Sequence, residues 1–77
     1  MPAFKMIDAV KIDLYARDHP PSHSHAIYAE YEELIEIDTL KTIVGMIPKN
    51  QRQKVINRAK NHQDYLKLIF NQLNPSR

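Results

Sequence analysis

The stretch His23-Ser24-His25-Ala26-Ile27-Tyr28-Ala29-Glu30-Tyr31-Glu32-Glu33-Leu34-Ile35-Glu36-Ile37-Asp38 decides the fold. Two extended runs, 23–28 and 31–38, flank Ala29-Glu30, which reads as a tight turn even though it lacks the glycine or asparagine that two-residue turns favour. Counting outward from this turn pairs Tyr28 with Tyr31, Ile27 with Glu32, His25 with Leu34 and His23 with Glu36. Side chains two apart on a strand share a face. His23, His25, Ile27, Glu32, Leu34 and Glu36 therefore project together. Ser24, Ala26, Tyr28, Tyr31, Ile35 and Ile37 project the other way and are assigned to the core, because that side carries the isoleucines of the second run.

Upstream, Val10, Ile12, Leu14 and Ala16 alternate with Lys11, Asp13, Tyr15 and Arg17, the period-two pattern of a strand with one buried face. Asp18-His19-Pro20-Pro21-Ser22 breaks it, since tandem prolines lack donors and restrict the residue before them. Downstream, a short fourth strand from Lys41 to Val44 runs up to Gly45, the only glycine. From Pro48 the period changes: Val55, Ile56, Ala59, His62, Leu66, Ile69, Phe70 and Leu73 recur at steps of three and four. With Pro48 at its first turn and Asn74-Pro75 at its end, this predicts one helix over roughly 49–73. The fold class is thus α+β: an antiparallel sheet of three to four strands over about 6–47, covered on one face by one long C-terminal helix. His62 falls inside the apolar stripe and reads as a core-edge histidine with one hydrogen bond.

A chain of 77 residues makes a single domain, which excludes a multidomain enzyme. A domain of this size buries only roughly 60% of the surface its unfolded chain exposes and gains from a partner or from self-association. The formal charge of +2 conceals a split. Residues 1–48 carry four basic and eight acidic side chains, whereas residues 49–77 carry seven basic ones and Asp64 alone. That asymmetry predicts an acidic layer packed on a basic one, a basic face for an anionic partner, or both. The absence of cysteine removes disulfides and thiolate chemistry and suits a cytoplasmic setting. No apolar run is long enough for a membrane span, and Met1 to Met6 does not resemble a leader, so a soluble, unprocessed chain is expected. No cofactor is implied.

Three readings of the histidines stay open. In the first, His23 and His25 stand on a water-facing sheet surface, with Glu36 as orienter and His19 and Arg17 at the preceding bend. One imidazole then serves as general acid or base while a guanidinium steadies a phosphate, which are the parts for metal-free cleavage of RNA. In the second, two imidazoles on alternate positions and a carboxylate hold a metal ion. In the third, histidines after a Pro-Pro bend satisfy loop carbonyls. On the helix, Lys49, Lys60 and Lys67 lie along one flank of the stripe and Lys54 and Arg58 along the other, a candidate nucleic-acid or acidic-partner surface. Leu68, pointing away from the stripe, and Ile27 with Leu34 on the open sheet face favour a protein partner or a homo-oligomer.

Asp18-His19-Pro20-Pro21-Ser22-His23-Ser24-His25, then Tyr28-Ala29-Glu30-Tyr31-Glu32, Ile35-Glu36-Ile37 and Gly45-Met46-Ile47-Pro48, resembles a bacterial family known as domain of unknown function four-one-six-zero. Its members read N-D-H-P-P-P-H-F-H-x-x-Y-G-E-Y-E-A, continue to G-x-L-P and end in a helix reading x-x-H-x-x-E-L-x-x-N-W. The likeness runs over nearly the whole chain, with His62 at the helical histidine and Phe70 in place of tryptophan. Ser24 departs from the aromatic of H-F-H and Ala29 from the turn glycine. The resemblance implies a cognate small protein from a neighbouring gene, in pairs that look like toxin and antitoxin. The expectation is therefore a toxin component acting on RNA. The alternative is a non-catalytic interaction or regulatory module with a structural histidine bend.

Overall fold

The computed structural model describes residues 3–15 and 21–75. Within them lie β1 (Ala3–Ile7), β2 (Val10–Leu14), β3 (His23–Tyr28), β4 (Tyr31–Glu36), β5 (Thr42–Met46), α1 (Lys49–Lys60) and α2 (Gln63–Leu73). The strands form one antiparallel sheet in the order β1-β2-β3-β4-β5, so each ladder joins chain neighbours. The α+β class is as expected. The sheet has five strands where three to four are expected, and two helices replace the single long one.

The β3–β4 ladder has the register that the turn fixes: His23 opposite Glu36, His25 opposite Leu34, Tyr28 opposite Tyr31. The two-residue turn is possible without glycine because Ala29 adopts φ 52°, the left-handed region. An L-residue there costs about 1–2 kcal/mol, against which glycine's extra chain entropy costs about 0.5–1 kcal/mol. Ala29→Gly is therefore expected to stabilise the fold by about 0.5 kcal/mol, read as a rise of a few degrees in Tm. Asp8, at φ 53°, plays the same part between Ile7 and Val10, which pair across the β1–β2 turn.

The helices cover the predicted face. Val10, Ile12, Ala26, Ile35, Ile47 and Val55 make one buried cluster. Leu14, Ile37 and Phe70 make a second, against which Leu66, Ile69 and Leu73 pack. Tyr28 flanks the first cluster, but Tyr31, expected in the core, is 39% exposed at the outer end of the hairpin.

The helix breaks at Asn61-His62. Asn61 N–H donates to Arg58 O at 3.2 Å and His62 N–H to Ala59 O at 3.0 Å, a tightened three-residue spacing that closes α1. Neither residue type favours a helix interior strongly. α2 then has anchors of its own: Gln63 Nε2 donates to Ile37 O at 2.9 Å, and Lys67 Nζ meets Asp38 Oδ2 at 2.7 Å. His62 is consequently exposed at the N-cap of α2 and is not a core-edge residue.

The charge split has a partial explanation in this packing. Arg52 pairs with Glu33, Lys54 with Asp8 at 3.7 Å and Lys67 with Asp38, each a helix cation on a carboxylate of the sheet or its turns. Glu33 lies on the helix-covered face at 1% exposure. Its carboxylate accepts from Arg52 Nε at 2.8 Å, from Ile47 N–H at 3.1 Å and from the Thr42 hydroxyl. On β5 a bulge leaves Ile43 as the extra residue, since Leu34 pairs with Val44 but Ile35 with Thr42. Among the described residues no helix is long and apolar enough to cross a membrane.

Candidate functional site

The polar cluster on the opposite face grows from β2 and β3. Period-two geometry places Asp13 beside His25 across the β2–β3 ladder. Tyr15, just past β2, donates its hydroxyl to Asp13 Oδ2 at 2.8 Å, and Lys11 Nζ lies 3.5 Å from the same oxygen. The Tyr15 and His25 rings meet edge to face with centroids 4.6 Å apart, and the His23 ring lies 5.0 Å from that of His25. His25 Nδ1 is 3.0 Å from Glu32 Oε2. A carboxylate accepts, so Nδ1 carries the proton.

His23 and His25 are brought together as expected, yet they are not both water-facing. His23 is only 5% exposed. It opens β3, at the end of the sheet where Leu14, Ile37 and Phe70 converge, and its ring centroid lies 5.8 Å from that of Phe70. Its Nδ1 donates to Pro21 O at 2.8 Å. The His25 side chain keeps 14% exposure, and its carboxylate partner is half exposed.

The sequence assigns Glu36 to orient an imidazole; among the described residues, the carboxylate that reaches one is Glu32. Both lie diagonal to His25, two residues either side of Leu34, so spacing alone could not rank them. Glu36 is engaged by the Thr39 hydroxyl at 2.5 Å in the turn that follows β4. Arg17 and His19 fall outside the described residues. Sequence reading passed over Asp13, which is 1% exposed on the face expected to be open, with Oδ1 buried and without a hydrogen-bond partner among the described residues. Its place opposite His25 was implicit in the alternation of β2, but no motif marked it. Among the described residues, no three histidine or carboxylate groups are arranged to hold a metal ion.

The five helix cations proposed for that surface do not form one stripe. Lys67 is held by Asp38 and Lys54 by Asp8. Lys49 and Lys60, eleven residues apart, stand about three turns along the same side of α1, while Arg58 lies about half a turn away from Lys49. All three are exposed.

No curated protein and no solved structure matches the chain. The sequence profile of the family described as a domain of unknown function (DUF4160) matches residues 10–71, which takes in β2 through most of α2 and every histidine. That span covers most of the 77 residues, and the chain belongs to the DUF4160 family.

Proposed function

We propose that the protein is an interaction module, the partner-binding component of a toxin–antitoxin-like pair, in which His23 is a structural residue of the Pro-Pro bend. The observation that supports this most is the apolar side chains left exposed on β5, which among the described residues is an edge strand paired on one side alone: Ile43 at 45%, Val44 at 57% and Met46 at 63%. Val44 and Met46 extend the face of Leu34 and Glu32. A domain this small gains stability by covering such a surface. The fitting partner is a small protein from an adjacent gene, and it is expected to co-purify with this chain. A chain that neither binds that protein nor associates with itself would overturn the reading.

The His25–Glu32 contact supports a second reading, acid/base cleavage of RNA. Here the His25 imidazole takes the proton of a 2′-hydroxyl, whose oxygen attacks phosphorus as the P–O5′ bond breaks and the 5′-oxygen takes a proton from water, giving a 2′,3′-cyclic phosphate and a free 5′-hydroxyl. Induced expression separates the two. Growth arrest abolished by His25→Ala and by Glu32→Gln, with circular dichroism unchanged, would favour cleavage. Arrest that survives both substitutions removes it.

A further inference from the structure

A half-open groove of about 190 Å³ lies between the two helices and the covered face of β1 and β2. Its walls are apolar, from Ile12, Leu14, Ala59 and Leu66, and its floor includes Ser24, only 6% exposed. Two features open it. Ser24 occupies a core-facing position on β3 with a side chain too small to fill the layer, and the break at Asn61-His62 separates the helices above it. At the mouth stand Lys5, Arg58 and His62, all exposed, and among the described residues no carboxylate lines the groove.

Size and charge together define an occupant. An apolar cavity of about 150 Å³ accepts a benzene ring, so this groove has room for one aromatic side chain. Because it is half open, that side chain can enter from a segment lying across the mouth, where basic groups await carboxylates. Deep pockets that take a single aromatic anchor carry much of the energy of protein interfaces.

We propose that this groove docks one aromatic side chain of an acidic partner segment, whose flanking carboxylates meet Lys5, Arg58 and His62. The proposal rests on the interaction reading above and assigns that partner its chemistry: an anionic stretch with a single buried ring.

The test is an NMR titration of the full chain with the blocked peptide Asp-Glu-Phe-Glu-Asp and with its Phe-to-Ala counterpart. The expected result is saturable shifts at the amides of Ser24, Ala59 and Leu66. Affinity should fall about tenfold or more without the ring and about fivefold in Arg58→Glu. Ser24→Phe fills the groove and should abolish binding; Ser24→Leu serves if the larger residue prevents folding. Absent shifts, shifts confined to β5, equal binding of the Ala peptide, or unchanged binding by a folded filled-groove variant would each overturn the proposal. The adjacent-gene product separates it from the reading it rests on. If that protein binds wild type and the filled-groove variant alike, the groove fails and the interaction reading stands. If it binds neither and the chain does not associate with itself, the interaction reading fails, and the peptide still decides the groove.

Discussion

Glu33→Ala is expected to remove about 2–4 kcal/mol of stability, since the buried Ile47 N–H loses its acceptor while Arg52, 36% exposed, turns to water. Three donors lose their acceptor at once: the Arg52 guanidinium, the Thr42 hydroxyl and the backbone N–H of Ile47, a residue that is itself 2% exposed. A chain of this size has roughly 4–12 kcal/mol in all, so the variant should sit near its unfolding threshold, and urea titration will show a midpoint far below that of wild type. The same carboxylate sets an acid limit. Burial raises its pKa, but hydrogen bonds from Thr42, Arg52 and the Ile47 N–H, with the Arg52 charge, outweigh that and hold it below its ordinary 4.5. A depressed carboxyl contributes its stability in full above the unfolded value and loses it as pH falls through the folded one. Melting temperatures should therefore begin to fall below about pH 4.5, and Glu33→Gln should flatten that part of the profile.

Gly45→Ala is expected to cost at least about 4 kcal/mol, combining a left-handed backbone penalty with a steric clash. Gly45 has φ +82°, and a Cβ built there would lie 2.2 Å from the carbonyl oxygen of Glu32, a backbone atom held in the β4–β5 ladder. The strands must part to admit it. Parting them displaces Thr42 and Ile47, which bracket β5, so the damage spreads to the Glu33 cluster. Hydrogen exchange provides the check: amides of β5 should lose protection first and most. Unchanged protection there, with a normal unfolding midpoint, would contradict the account.

The β3–β4 hairpin was legible because its alternation has only one register that buries Ile35 and Ile37 together, and a slip by one residue would expose both. The same parity put Glu33 on the buried side, between Tyr31 and Ile35. That was a readable sign of a paired internal charge, but Arg52, its partner, was hidden among the helix cations. β1 escaped notice because Asp8-Ala9 lacks the glycine that completes a two-residue turn signature, although aspartate tolerates the left-handed φ that Asp8 adopts. The helix break was equally silent, since the three- and four-residue steps continue through Ala59, His62 and Leu66 as though the backbone did. At the site, parity correctly gathered His23 with His25, but it describes faces and not ends. The position of His23 at the mouth of β3, where Phe70 closes over it, depends on how far α2 extends along the sheet.

The consecutive order of the five strands bears on how the chain reaches its native state. Each hairpin can zip onto the one before it without waiting for a distant segment, which limits loop-closure entropy and favours rapid folding. During synthesis the meander emerges first and its apolar face stays bare until the two helices leave the ribosome. A ribosome stalled before α1 would thus present a sticky half-built sheet, a substrate for chaperones.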